Sequence, residues 1–263
     1  FRFFNSKNNF PTGRPGPVVI DVPVDISNAP YKFSYPDKVD IKGYKPTYHG
    51  HKEQIKRACK MIEHAKQPVI YAGGGVVISN AYKELQEFVK KTKIPITTTL
   101  LGLGIYPETD QLSLEMLGMH GTYYANKAVN ESDLVIAIGA RFDDRVTGNI
   151  ETFIPKAKVI HIDIDPASVS KNILVDIPIV GDCKHVLEDM NEIVKPPSIK
   201  EWLDYIYKMK QEHPLTYEKS NNKKIIKPQF VVEELYRLSK GEAIITTEVG
   251  QNQMWAAQFY KYS

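Results

Sequence analysis

The chain has 263 residues, more than the roughly 100–150 of a common single domain, which predicts one large domain with flanking pieces. Its 34 Lys and Arg nearly balance 31 Asp and Glu, and their scatter along the chain excludes the basic stripe of a nucleic-acid-binding protein. Two cysteines are too few for a disulfide framework, and no apolar run approaches the roughly 20 residues of a membrane span, so we expect a soluble protein. Because the chain begins at Phe1, we also expect a piece of a longer polypeptide.

Apolar residues alternate along the chain between short continuous runs and helical spacing, as is typical of strands and crossover helices in a parallel sheet. The runs predict strands over residues 18–23, 68–72, 94–98, 134–138, 159–165, 177–182 and 243–247. The helical spacing predicts helices over residues 51–66, 82–89, 186–194, 199–211 and 228–238. We therefore predict an α/β fold, a doubly wound parallel sheet, with partial flanking domains.

Composition marks the boundaries of these domains. Residues 52–194 carry the alternating pattern and form the central domain, after a polar linker over 27–51 that is rich in Pro and Tyr. Lys195-Pro196-Pro197 ends the central domain, because two prolines cannot continue a helix. A linker helix and a loop at 221–224 occupy residues 195–227, and residues 1–26 and 228–263 belong to neighbouring domains.

The loop after the predicted strand 134–138 is the most informative segment. It begins with Gly139 and places Arg141, Asp143, Asp144 and Arg145 within five residues. In an open parallel sheet, ligands bind outside the carboxyl ends of the strands, where glycine lets a phosphate approach the backbone and arginine supplies a forked donor. The alternative is a charged turn that is simply solvated.

Two other strand ends carry weaker signals. Gly73-Gly74-Gly75 is out of register with the dinucleotide fingerprint Gly-x-Gly-x-x-Gly, and a tight turn explains it equally well. Asp163 follows the charged loop by roughly 20 residues, where an acid accepts a ribose hydroxyl or caps the next helix. Together these ends favour a dinucleotide bound across several strands by a non-standard set of contacts.

Metal and hydrolase chemistry find no support in the sequence. His120 lies in a loop between Gly118 and Gly121, with no second His, Cys or acid at metal-ligand spacing around it. No Ser or Cys stands in a nucleophile elbow with a patterned His partner. We therefore predict no metal site within these residues.

Six motifs in a fixed order carry a family resemblance. They are TGRPGPV at 12–18, TLLGLG at 99–104, LGMHG at 117–121, GARFDDRVTG at 139–148, HIDID at 161–165 and VGQNQMW at 249–255. Any one of them is a weak signal, but their order is specific. From residue 12 onward the chain resembles the catalytic subunit of thiamine-diphosphate-dependent acetolactate synthases, also called acetohydroxyacid synthases.

The resemblance implies a three-domain enzyme that condenses two 2-keto acids, pyruvate with pyruvate or 2-ketobutyrate, and releases carbon dioxide in branched-chain amino acid biosynthesis. Residues 1–26 would end the pyrimidine-binding domain, 52–194 would be the FAD-binding domain and 228–263 would begin the diphosphate-binding domain. FAD, thiamine diphosphate and Mg²⁺ are the implied cofactors, the last two bound largely outside these residues. The implied partners are small 2-keto acids, further copies in a homodimer or tetramer, and a regulatory subunit; the compartment stays open between plastid, mitochondrion and cytoplasm.

The resemblance also assigns residues to FAD, to the diphosphate and to the substrate. By similarity FAD would be lined by Arg14, Gly73, Gly74, Thr99, Leu100, Leu117, Gly118, Met119, His120, Gly139, Ala140, Arg141, Asp143, Val146, Asp163, Ile164, Asp182 and Cys183. Gln251 and Asn252 would lie near the thiamine diphosphate. Arg145, held by Asp144, would clamp the carboxylate of the second keto acid, although an internal Asp-Arg ion pair is the alternative. Met119 would be a further substrate-binding residue.

The chain departs from the family pattern at two positions and lacks two catalytic features. Val24 stands where the family usually has Lys, and Asn252 where it usually has His. The glutamate that contacts the aminopyrimidine and the Gly-Asp-Gly metal motif are absent from these residues, so we expect the first before Phe1, the second after Ser263, and no activity from the fragment itself. A pyruvate oxidase-like flavoenzyme and a noncatalytic nucleotide-binding module stay open as alternatives.

Overall fold

A single parallel sheet organises the protein, whose computed structural model describes residues 13–14, 16–17, 19, 21–34, 46–220 and 225–262. Its six strands lie in the order β3-β2-β1-β4-β5-β6. They are β1 Pro68–Ala72, β2 Ile96–Thr98, β3 Ser113–Met116, β4 Leu134–Ile138, β5 Lys158–Asp163 and β6 Ile177–Val180. The order reverses between β1 and β4, so the predicted doubly wound α/β sheet is confirmed.

The described residues also form ten helices. They are α1 Val24–Asn28, α2 Lys52–His64, α3 Gly74–Ile78, α4 Tyr82–Thr92, α5 Tyr123–Glu131, α6 Asp144–Thr147, α7 Cys183–Ile193, α8 Lys200–Glu212, α9 Pro228–Ser239 and α10 Gln251–Phe259, with 3₁₀ turns at Leu100–Gly102 and Pro166–Ser168. Helix α7 packs against both α2 and α4, and α5 packs against α8. Within the described residues, no helix combines the length and apolar character that crossing a bilayer requires.

The central strands β1 and β4 are buried along their whole length. Successive strand residues point to opposite faces, so full burial requires cover on both faces of the sheet. Ile70 pairs with Ile136 in the middle of this contact, and each of these isoleucines contributes about 1.5–3 kcal/mol by its burial. Helix α8 joins the same core, where the buried Trp202 donates from Nε1 to the Pro68 carbonyl at 3.1 Å.

Five of the seven predicted strands form, as β1, β2, β4, β5 and β6. Strand β3 was not predicted, because Ser-Leu-Glu-Met has no continuous apolar run. Residues 243–247 form no strand, since no other described strand pairs with them and Ile244 is 94% exposed. The predicted strand 18–23 is likewise not formed by its described residues 19 and 21–23, while Val18 and Ile20 lie outside the described residues.

Several expectations concern residues that the structure does not describe. They are the irregular stretch 1–11, Thr12 of the first motif, residues 35–45 of the linker and the loop 221–224. These expectations stay predictions.

The segment after α10 docks against the sheet edge at β3 through a buried acid, Glu108. Its Oε2 accepts from the Tyr262 N–H at 3.0 Å, and its own N–H donates to the Tyr262 carbonyl at 3.0 Å. Nearby, Lys261 pairs with Glu115 of β3 at 2.6 Å. Burial raises the pKa of Glu108 to about 7, although the Lys261 charge opposes the rise. Glu108 therefore titrates near neutral pH.

We expect Glu108→Gln to flatten the pH dependence of stability. The folded-state pKa lies above the unfolded value, so the contribution of Glu108 is fully present below pH 4.5 and is lost as pH rises through about 7. Gln keeps the acceptor for Tyr262 and cannot ionise, so between pH 5 and pH 8 the variant should lose less stability than the wild type, by about 3 kcal/mol at most. Urea unfolding at both pH values measures the difference. Glu87→Gln, at an exposed position, is the control, and an unchanged pH dependence in Glu108→Gln would contradict the prediction.

Candidate functional site

The carboxyl ends of all six strands meet at one edge of the sheet, because parallel strands run in the same direction. Backbone hydrogen bonds hold neighbouring loops together beyond the strands, such as Gly73 N–H to Ile138 O at 3.0 Å and Leu117 N–H to Thr98 O at 3.2 Å. The residues assigned to FAD in the central domain all follow or end these strands: Gly73 and Gly74 at β1, Thr99 and Leu100 at β2, Leu117, Gly118, Met119 and His120 at β3, Gly139, Ala140, Arg141, Asp143 and Val146 at β4, Asp163 and Ile164 at β5, Asp182 and Cys183 at β6. The fold therefore gathers them along one rim.

The loops after β1 and β4 touch backbone to backbone at the point where the strand order reverses. The Gly75 N–H donates to the Gly139 carbonyl at 2.9 Å. A Cβ on Gly73 would lie 2.6 Å from the Gly139 oxygen, and one on Gly75 would lie 2.5 Å from the Gly139 Cα. Gly139 itself has φ +56°, a conformation that side chains rarely adopt. The glycines therefore serve first to let two protein loops approach each other.

We expect Gly75→Ala to destabilise the protein relative to Gly74→Ala. Both residues begin α3 and gain the same helix propensity from Ala, about 1 kcal/mol. At Gly74 the new Cβ meets the Leu101 Cβ at 3.2 Å, which a shift of a few tenths of an ångström relieves, whereas at Gly75 it meets the Gly139 Cα at 2.5 Å. Chemical denaturation should show Gly75→Ala less stable than Gly74→Ala by about 1–3 kcal/mol. Equal stabilities would show that the two loops yield without cost.

A cleft opens on this rim beside the loops after β4 and β5. The cleft is open to solvent, and its empty space is about 460 Å³ when the solvent at its mouth is included. The cleft is lined by Arg14, Arg141, Phe142, Asp143, Ser168, Lys171, Asn172 and Ile173. Arg14 and Arg141, two residues assigned to FAD, thus share one cleft although they are far apart in sequence.

The two arginines of the cleft each lie beside a carboxylate. Arg14 donates from a terminal guanidinium nitrogen to Asp165 at 2.7 Å and to the Ser168 hydroxyl at 3.1 Å. The Arg14 hydrogen bond holds the pKa of Asp165 below its usual value. Arg141 lies 3.8 Å from Asp143, whose pKa is lowered mainly by a hydrogen bond from the Arg145 N–H. Both carboxylates are therefore ionised at neutral pH.

Asp163 and His161 form a buried pair at the end of β5. Burial raises the pKa of Asp163 and lowers the pKa of His161, whose Nε2 lies 3.8 Å from Asp163 Oδ2. Asp163 Oδ1 accepts from the Asp165 N–H at 2.8 Å, which leaves Oδ2 available to a ligand hydroxyl. The ribose role assigned to Asp163 needs such an acceptor.

Two hydroxyl groups at the end of β2 have no partner. The Oγ1 atoms of Thr98 and Thr99 are buried and make no hydrogen bond with the described residues. Buried polar atoms are normally hydrogen-bonded, so each unpaired one needs an explanation. A bound ligand with polar groups at this rim would supply the missing partners.

The loop after β3 contacts the loop after β4 where the substrate residues were predicted. The Met119 N–H donates to the Arg145 carbonyl at 3.0 Å, and both side chains are exposed. The expected ion pair of Arg145 with Asp144 is wrong: the two side chains make no ion pair. Consecutive residues at the start of helix α6 do not face each other, and it is Asp143 that binds the Arg145 backbone, at 3.0 Å.

Several assigned residues use their side chains for the fold. Asp182 caps α7 by accepting from the Lys184 N–H at 2.9 Å and also accepts from the Ser79 hydroxyl at 2.6 Å. Cys183 is buried against Gly139, and burial raises the pKa of its thiol. Gln251 and Asn252 lie exposed at the start of α10, where the Asn252 amide donates to Glu248 at 3.4 Å.

Sequence reasoning missed the loop that forms the outer wall of the cleft. Ser168, Lys171 and Asn172 lie between β5 and β6, and Asn172 donates from Nδ2 to the Phe142 carbonyl at 2.5 Å. A short polar run right after the acidic strand end was the available signal. His161 was recognised only as the first residue of the motif HIDID, and its pairing with Asp163 was not predicted.

The reversed strand order, the glycine turns at its centre and the charged cleft define a doubly wound α/β domain, a fold in which ligands bind where the strand order reverses. Residues 55–190 match the family model described as the thiamine pyrophosphate enzyme central domain. The chain belongs to this family of thiamine pyrophosphate enzymes.

Curated relatives are similar over nearly the whole chain. The acetolactate synthase large subunit of Buchnera aphidicola subsp. Schizaphis graminum is 48% identical over 258 residues, 96% of this chain and 45% of that protein. The isozyme 3 large subunit of Escherichia coli K12 is 45% identical over 95% of this chain and 45% of its own length. A probable acetolactate synthase large subunit of Methanocaldococcus jannaschii is 50% identical over 95% of this chain and 44% of its own length. The chain thus spans about half the length of these relatives.

Proposed function

We propose that the full-length protein is an acetolactate synthase, which condenses two pyruvates, or pyruvate and 2-ketobutyrate, with loss of carbon dioxide. The observation that carries this proposal is the 45–50% identity to acetolactate synthase large subunits over at least 95% of the chain. Bound thiamine diphosphate with Mg²⁺ supplies the electron sink for the decarboxylation. The residues of this chain bind, orient and enclose the reactants.

FAD is the nucleotide that we propose for the strand-end rim. The unpaired hydroxyls of Thr98 and Thr99, the cationic cleft and the free oxygen of Asp163 support a ligand with ribose and phosphate groups there. Because Gly73 and Gly139 have no side chains, such a ligand could lie close to the backbone where it passes from the loop after β1 to the loop after β4. The residues present therefore fit FAD.

A domain boundary before α9 also belongs to this proposal. Phe230, Val231, Leu235 and Leu238 lie on α9 and are 45–68% exposed. An exposed apolar face of this size marks a surface that packs against another part of the protein. This supports the proposal that residues 228–263 begin a separate, diphosphate-binding domain. Gln251 and Asn252 of α10 would then present amide donors to the diphosphate. The large-subunit names of the relatives support further copies and a regulatory subunit as partners.

Product formation from pyruvate decides between the proposed function and its alternatives. We expect the full-length protein to purify yellow and to convert pyruvate to acetolactate with thiamine diphosphate, Mg²⁺ and FAD present. Bleaching of the flavin by pyruvate, reversed by an electron acceptor and without acetolactate, would instead identify an oxidase. Flavin binding with neither reaction would leave a noncatalytic nucleotide-binding module.

Arg145 is the residue that we propose for the carboxylate of the second keto acid. Its guanidinium is exposed at the junction of the β3 and β4 loops and makes no ion pair with any described carboxylate. In the full-length protein Arg145→Ala should raise the KM for the second keto acid roughly tenfold or more, because a hydrogen bond between charged groups is lost. The FAD affinity should stay unchanged.

Two further variants test this assignment. Arg145→Lys keeps the positive charge but lacks the forked guanidinium that can hold both carboxylate oxygens. Its KM for the second keto acid should therefore lie between those of the wild type and Arg145→Ala. Arg57→Ala, on the exposed face of α2, is the control for loss of a surface arginine. Steady-state kinetics with varied 2-ketobutyrate and flavin fluorescence titrations give the two readouts. Equal losses of substrate affinity and FAD affinity in Arg145→Ala would refute the proposal that Arg145 binds the substrate carboxylate.

A further inference from the structure

One lysine in the cleft has no carboxylate partner among the residues that the structure describes. Arg14 is paired with Asp165 at 2.7 Å and Arg141 lies 3.8 Å from Asp143. Lys171 lines the same cleft, and within the described residues it makes no ion pair. Three cationic side chains therefore face two carboxylates, and the remaining positive charge is that of Lys171.

The loop that carries Lys171 is fixed on both sides of it. On one side, the Ser168 hydroxyl accepts from Arg14 at 3.1 Å and donates to Asp165 at 3.3 Å. On the other, Asn172 donates to the Phe142 carbonyl and Ile173 is buried. Lys171 is thus exposed on an anchored loop, and it lines the cleft together with Arg141 and Asp143.

We propose that Lys171 binds the diphosphate group of the nucleotide and supplies the net positive charge that the two paired arginines do not. The inference rests on the proposed function, because it takes a dinucleotide with an anionic centre as the ligand. A carboxylate beside each arginine reduces the attraction that the arginine offers to a phosphate. A lysine without a carboxylate partner acts on phosphate as a full point charge. None of the six family motifs includes this position.

The test compares three ligands that share different parts of FAD. The full-length protein, stripped of flavin, is titrated with FAD and riboflavin by fluorescence quenching and with ADP by calorimetry. FAD and ADP contain the diphosphate, whereas riboflavin does not. Lys171→Gln should weaken the binding of FAD and ADP about fivefold and leave riboflavin binding unchanged, as expected for a single exposed charged contact.

Two variants and the salt dependence separate this role from a general effect. Lys171→Arg keeps the charge and should bind FAD within about twofold of the wild type. Lys60→Gln removes an exposed lysine of α2 outside the cleft and should change nothing. Added salt should shrink the difference between the wild type and Lys171→Gln, since exposed charges are screened. Thermal melting of each variant confirms that folding is retained.

Each outcome bears on a definite claim. Unchanged FAD and ADP binding in Lys171→Gln, or an equal loss for riboflavin, overturns the role of Lys171 while the acetolactate synthase proposal stands. If the wild type binds ADP and not FAD, the flavin proposal fails and Lys171 is judged on ADP alone. If the wild type binds none of the three ligands, the proposal of a flavin nucleotide at the rim and the proposed role of Lys171 are both overturned.

Discussion

The structure depends on the close backbone contact between the loops that follow β1 and β4. Gly73 and Gly75 on one side and Gly139 on the other leave no room for a Cβ, so the two central strands can end side by side where the sheet order reverses. Any side chain there would separate the two halves of the sheet edge. The positions of the charged loop after Gly139, and of the cleft beside it, follow from this contact.

The cations of the rim fall into two groups, those beside a carboxylate and those without one. Arg14 and Arg141 have carboxylates beside them, which fixes their positions and reduces their net charge, while Lys171 and Arg145 have no ion-pair partner among the described residues. Electrostatic attraction for an anion therefore comes from the unpaired cations, and geometry comes from the paired ones. Such a division suits the nucleotide that we propose for this rim.

Local patterns were reliable where a segment lies in the middle of the sheet and unreliable where it needs a distant partner. Runs such as 134–138 are apolar at every position because both faces are covered, and they were recognised as strands. Residues 243–247 are also rich in residues that favour strands, but they find no neighbouring strand among the described residues. Strand β3 shows the reverse case, a strand that forms without an apolar run. It lies at the edge of the sheet, where Glu115 is tolerated because it pairs with Lys261. Its sequence therefore lacks the apolar signal.

The sequence by itself determined the fold class, the family and the set of residues at the strand ends, because burial periodicity and ordered motifs are local properties. It could not determine which charges pair. Arg14 meets Asp165 across 151 positions, Asp144 does not meet its neighbour Arg145, and Lys171 enters the cleft without belonging to any motif. Those relations depend on the order of the strands and on how their loops pack, which only the tertiary structure decided.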